Sequence, residues 1–214
     1  DTPKILSTER RLKNLSLSKN LNIDFESVVT HEVSNTIAEL SGQTNCDWLV
    51  MGWNGKAHRG IFVRNPIGWL LANVSSNFAL FKDNGIKNIS EVLIALRPGR
   101  KDKDFLSVAE RICLFYGASL TLIHVVNPSF SEAKRKNMEK NSLSLLSNLS
   151  VPNVLKIQKS DDPISSISSV SSEYDLLILG APEKDSWVSV LLGTGRDKFA
   201  EGSACSVLRL TMKN

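Results

Sequence analysis

Apolar positions in this chain recur with two periods. Short continuous runs, WLVM at 48–51, VLIAL at 92–96 and LLIL at 176–179, alternate with stretches in which apolar residues fall every three or four positions. The first pattern predicts strands buried on both faces, the second amphipathic helices. Residues 7–20 read as a helix with Leu12, Leu15 and Leu17, and residues 22–30 as a strand. Ser34 caps a helix carrying Ile37 and Leu40, and 48–51 is a strand. A loop at 52–64 leads to Asn65 as cap and Pro66 in a helical first turn, with Ile67, Leu70, Leu71 and Val74 facing inward. Residues 78–81 close the series as a strand.

A connector at 82–88, with Asp83-Asn84-Gly85 as turn chemistry, opens a second series. Its elements are a strand at 91–96, a charged loop at 97–104, a helix at 105–116 stopped by Gly117, and a strand at 119–126. Then come a basic helix at 131–149, a strand at 154–157, and a helix capped by Asp162 with Pro163 in its first turn. A strand at 176–179, a helix near 194–201 and a strand at 206–210 complete it. This order, β-α-β-α-β-α-β-α-β, predicts an α/β fold with a parallel sheet covered on both faces. The first series reads α-β-α-β-α-β.

The two series are one pattern written twice. Asp47 and Asp175 are 128 residues apart, as are Gly52 and Gly180, and Asn65 and Gly193. The same offset carries Ala79-Leu80 onto Val207-Leu208, so the repeat reads as free of gaps. The counterpart of residues 91–126 falls before residue 1. The expected organisation is therefore a first repeat at 1–84, lacking its opening β-α-β, and a complete second repeat at 89–214.

Composition narrows the function. The 214 residues are 42% hydrophobic and 22% charged, which is ordinary for a globular chain. The net charge of +4 is dispersed, with no basic stripe interleaved with aromatics, so nucleic acid is not an expected partner. Cys46, Cys113 and Cys205 lie far apart beside apolar runs and read as reduced, buried thiols. The three histidines have no metal spacing, and no metal site is expected. No apolar run approaches the ~20 residues that span a bilayer. The expectation is a soluble, cytosolic chain, and its opening at Asp1 reads as a piece cut from something longer. No phosphate-loop, zinc-protease or serine-hydrolase motif is present, and no catalytic residues are expected.

A strand that ends in glycine and hands over to a helix is where α/β proteins hold phosphates. Gly180, followed by Gly193-Thr194, stands in that context, and Gly52 with Gly55 repeats it. The spacing resembles Gly-x2-Gly-x9-Gly-(Ser/Thr), the ATP-binding signature of the universal stress protein family. The resemblance covers nearly the whole chain and implies two Rossmann-like repeats, each built on a parallel five-stranded sheet. It implies nucleotide contacts at Gly180, Gly193, Thr194, Arg97, Gly52 and Gly55. The departures are equally specific: Glu183 replaces the second glycine, Asn65-Pro66 replaces the last Gly-Ser, and Arg97 stands where the family carries an acidic residue. A carboxylate at 183 opposes a phosphate by on the order of 1–4 kcal/mol. No cofactor is therefore required, and ATP or another adenine nucleotide would be held weakly.

The forms MGWNG, NPIGWLLAN and ALFKDNG further resemble degenerate universal-stress-like repeats on the cytosolic C-terminal side of prokaryotic cation–chloride cotransporters and amino-acid permeases. That resemblance implies a regulatory or assembly domain whose partners are a second copy and the transmembrane part of a parent transporter, without membrane insertion of its own. The alternative is a stand-alone ATP-binding stress protein. The family pairs through the last strand of each unit, which points to Ala79, Leu80, Phe81, Val207, Leu208 and Leu210 as the interface, within or between chains.

Overall fold

A computed structural model of the chain describes residues 2–53, 66–97, 101–180 and 197–213. They fold as two compact units, Asp1–Thr36 and Ile37–Asn214. The first unit is dominated by helix α1, Pro3–Lys19, whose start is capped by Thr2 and whose end is set by Asn20 in the left-handed region (φ 51°). Helix α1 buries no residue and leaves Leu6, Leu15 and Leu17 exposed. Residues 21–30 form no strand, contrary to the sequence pattern. A strand needs a partner for its N–H and C=O groups. The repeat counterpart of 25–31 is the strand Asn153–Lys159, which pairs only with Ser119–Val126. Among the described residues, no strand pairs with 25–31.

Helix α2, Val33–Thr44, spans the division between the units. The second unit continues with β1 (Trp48–Gly52), α3 (Pro66–Asn73) and β2 (Asn77–Lys82). Then follow β3 (Glu91–Ala95), α4 (Asp102–Tyr116), β4 (Ser119–Val126), α5 (Glu132–Leu146), β5 (Asn153–Lys159) and α6 (Pro163–Val170). After a 3-10 turn come β6 (Leu176–Gly180), α7 (Lys198–Gly202) and β7 (Ser206–Thr211). Helix α4 starts three residues earlier than its apolar face predicts. Asp102 and Asp104 sit in its first turn, where negative charge favours the helix N-terminus.

The seven strands form one sheet in the order β1-β2-β7-β6-β3-β4-β5. All neighbours are parallel except β2 and β7, which run antiparallel. The last strands of the two repeats are thus paired within one chain. Phe78 faces Thr211, Ala79 faces Leu210, Leu80 faces Arg209 and Phe81 faces Leu208.

The registers correct the gap-free repeat. Trp48 pairs with Asn77, but Leu176, its counterpart, pairs with Ser206 rather than Cys205. The second repeat therefore holds one extra residue between its last two strands, and the counterpart of Ala79 is Leu208, not Val207. Side-chain direction requires this, because a one-residue slip would turn every side chain to the other face. Ala79, Phe81, Leu208 and Leu210 all pack into one core with Val92, Ile94, Ile178, Phe105 and Leu106. On the opposite face, Phe78 and Leu80 pack with Leu70 and Val74, and Val207 packs with Leu93, Leu177 and Ile167.

Each fully buried Leu, Ile or Phe in these layers contributes about 1.5–3 kcal/mol. Polar groups then stitch one repeat to the other. Lys82 Nζ donates to the Ala200 carbonyl at 2.6 Å, and Lys213 Nζ to the Leu71 carbonyl at 2.5 Å. Asn84 Nδ2 donates to the Ser203 and Cys205 carbonyls, while its backbone N–H donates to Ser206 Oγ.

Candidate functional site

In an open α/β sheet, ligands bind beyond the carboxyl ends of the strands where the strand order reverses. Here the reversal falls between β3 and β6, because β3 leads outward to β4 and β5 while β6 leads to β7. The crevice that this rule assigns lies beside Leu96-Arg97 after β3, Gly180 at the end of β6, and the start of α4. Arg97 is exposed and Leu96 buried.

Space beside Gly180 is tight. A Cβ at this position would meet Leu96 Cδ2 at 3.1 Å and the Phe105 ring at 3.2 Å. Its carbonyl accepts from Arg209 Nη1 at 3.1 Å. Arg209 in turn donates from Nε to Asp197 Oδ2 at 2.7 Å, and its Nη2 reaches the same oxygen. Asp197 Oδ1 accepts from the backbone N–H groups of Phe199 and Ala200 and so caps α7. Both partners are buried, Arg209 to 7% exposure and Asp197 to 3%. The Asp197–Arg209 pair therefore ties the end of β6, the strand β7 and the start of α7 together. A buried pair of this kind contributes little net stability against an apolar pair, but losing one partner is costly.

His124 fixes the other wall. It lies on β4, 2% exposed, with Nδ1 2.9 Å from the Leu96 carbonyl and Nε2 2.8 Å from Ser142 Oγ. A carbonyl only accepts, so Nδ1 carries the proton, and Ser142 donates to Nε2. Burial pushes the His124 pKa down, with the Leu96 contact opposing it in part. The neutral ring anchors the β3 end next to Arg97. Lys101, just before α4, spends its Nζ on the Met212 carbonyl at 2.8 Å.

The first repeat does not reproduce this crevice. Gly52 is exposed, and a Cβ there would meet nothing within 4 Å. Among the described residues, β1 pairs with β2 alone. Trp53, the next residue, donates its backbone N–H to the Phe81 carbonyl at 2.8 Å and packs against the cores of both repeats. Gly180, Leu96 and Phe105 are thus brought together, with Arg97 next to Leu96 in the chain, whereas Gly52 stands apart at the end of β1. Gly55, Asn65, Arg100, Glu183, Gly193 and Thr194 lie outside the described residues. Ala79, Leu80, Phe81, Leu208 and Leu210 lie within the β2–β7 ladder, and Val207 pairs with Lys82 at its end. Sequence reasoning missed Asp197 and Arg209. The available signal was an arginine inside the apolar run SVLRLT.

Cys46 is half-buried, and Cys113 and Cys205 are buried, all as free thiols. Among the described residues, no group of three His, Cys, Asp or Glu side chains is placed to hold a metal, and no helix is long and apolar enough to cross a membrane.

No family model matches the chain, and no curated protein matches it in sequence. Solved structures do. A universal stress protein from Archaeoglobus fulgidus DSM 4304 aligns over 100% of this chain and 80% of its own, at 15% identity and a TM-score of 0.62. A functionally unknown protein from Pseudomonas aeruginosa PAO1 aligns over 97% of this chain and 77% of its own, at 13% identity and a TM-score of 0.62. With its mostly parallel sheet, covering helices and strand order, the chain has the fold of the universal stress proteins.

Proposed function

We propose that the chain is a non-catalytic regulatory and assembly module on the cytosolic side of a membrane transporter, of the cation–chloride cotransporter or amino-acid permease kind. The observation that carries this reading is the asymmetry of the two repeats. β2 and β7 join them into one sheet, yet among the described residues β6 has a parallel neighbour on both sides and β1 on one. Two repeats that differ in this way suit holding and positioning better than paired nucleotide sensing. The resemblance of MGWNG, NPIGWLLAN and ALFKDNG to transporter-linked repeats supplies the transporter. The test is calorimetric titration with Mg-ATP, ADP and AMP, combined with sedimentation over a wide protein range. The reading expects self-association without nucleotide and no binding at millimolar ligand. A strictly monomeric chain at high concentration overturns the assembly role.

The second reading is a stand-alone adenine-nucleotide-binding protein that uses the β3–β6 crevice. Gly180 beside Leu96 and the exposed Arg97 favour it. It expects micromolar ATP binding that is lost in Gly193→Val and weakened in Arg97→Ala.

A further inference from the structure

Helix α1 gathers the charge of the chain. Pro3–Lys19 carries five basic residues, Lys4, Arg10, Arg11, Lys13 and Lys19, and one acid, Glu9. The chain has 26 basic and 22 acidic residues, so the rest of it holds 21 of each and is neutral. The whole net charge of +4 thus resides on one helix rather than being dispersed. The stretch that follows it in the first unit is acidic instead, with Asp24, Glu26 and Glu32.

The helix also carries apolar side chains that stay in solvent. None of its residues is buried. Leu6 is 51% and Leu17 75% exposed. With Arg10 and Lys13, both exposed, they fall at i, i+4, i+7 and i+11, a single stripe along the helix. Ile5, Leu12 and Ser16, which are half-buried, lie on a different stripe. The outward stripe therefore reads leucine, cation, cation, leucine, about 16 Å from end to end at the helical rise. Leu15, also exposed, lies between Arg11 and Lys19 at i±4.

We propose that α1 binds an anionic lipid surface, lying along it with Leu6 and Leu17 at the headgroup–acyl boundary and Arg10 and Lys13 on the phosphates. Interfacial helices of this kind combine a basic polar surface with a few large apolar side chains and stay in the plane of the interface. At 17 residues with six charges, α1 suits that role and not a spanning one. Each lysine or arginine near such a surface strengthens binding about fivefold, and the attraction fades over a Debye length of about 8 Å in physiological salt. A nucleic acid would meet the same charge, but α1 has no aromatic side chain on which its bases could stack, and the leucines would stay wet. Attachment of this kind needs neither a parent transporter nor a nucleotide.

The test sediments the whole chain with vesicles of phosphatidylcholine alone and of phosphatidylcholine mixed with phosphatidylserine. The expected result is binding to the mixed vesicles that is absent from the neutral ones and falls as salt is raised. Arg10→Glu with Lys13→Glu should weaken it by about tenfold or more, and Leu6→Ser with Leu17→Ser by about tenfold. Lys134→Glu with Lys136→Glu, an equal change of charge at exposed positions of α5, should leave binding within about twofold. All these positions are exposed, so the variants should fold as the parent does. Failure to bind the mixed vesicles at low salt overturns the proposal. So does equal binding to neutral vesicles, or an equal loss in the α5 variant, which would assign the binding to net charge alone. Sedimentation without vesicles covers a second copy as the occupant: if the Leu6 and Leu17 substitutions dissolve a dimer and leave vesicle binding intact, the proposal is overturned.

Discussion

Leu80 and Arg209 face each other across the antiparallel β2–β7 ladder, and they occupy the same position in the two repeats. The pseudo-twofold axis relating the last strands passes through this pair. On one side of it the repeat keeps an apolar residue in the core. On the other it places a guanidinium paired with Asp197 and bonded to Gly180. The asymmetry of the crevices thus extends to the axis itself.

Replacing Arg209 with the residue of its counterpart tests the pair. Arg209→Leu strands the Asp197 carboxylate in the core, and urea unfolding should show a loss of about 3–5 kcal/mol. Combining it with Asp197→Ser, which retains a capping oxygen for α7, should recover most of that loss. Equal destabilisation in the single and double variants would show that the ion pair is not the cause.

The two strand-end glycines should respond differently to one methyl group. Gly180→Ala drives a Cβ against Leu96 and Phe105 and should cost about 1–3 kcal/mol. Gly52→Ala meets open space and should stay within about 0.5 kcal/mol of the parent. Thermal unfolding of the two variants side by side decides this.

His124 should make stability depend on pH below neutrality. Its folded pKa is lowered from the ordinary 6.5 by burial, so the unfolded chain binds the proton more readily. Stability from this group is complete above 6.5 and falls as pH drops through that value toward the folded pKa. The urea midpoint should decline from pH 7.5 to 5.5, and His124→Gln should flatten that part of the profile. A decline of the same size in the variant would assign it to other groups.

The thiols should differ in reactivity. Ser41 Oγ lies 3.3 Å from Cys46 Sγ and is the main cause of a lowered pKa there, while burial pushes Cys113 up to about 11 and Cys205 upward. A thiolate-selective reagent should label Cys46 in the native protein, with Cys113 and Cys205 reacting only on unfolding. Mass spectrometry of peptides after a timed pulse reads this directly.

Much of the fold was legible because continuous apolar runs such as 48–51 and 176–179 have few alternatives, and the repeat count placed each run in order. What local pattern cannot supply is a partner. Residues 22–30 carry strand chemistry, but no ladder stands beside them. The extra residue before β7 escaped a count of matching positions, although the burial of Ala79 with Leu208 on one face reveals it. At the crevice, Gly180 and Arg97 were readable from the glycine spacing and the strand end. Arg209 and Asp197 were not, because an arginine within a strand ordinarily points to water, and its carboxylate lies twelve residues back in the chain.

The antiparallel join at β2–β7 has a directional consequence. β1 runs opposite to β6, so the strand ends at Gly52 and Gly180 emerge on opposite rims of the sheet. Whatever meets the end of β6 and whatever meets the end of β1 would therefore approach from opposite rims. Communication between them would run through the five ladder pairs from Phe78–Thr211 to Lys82–Val207, the polar contacts that stitch the repeats, and Trp53.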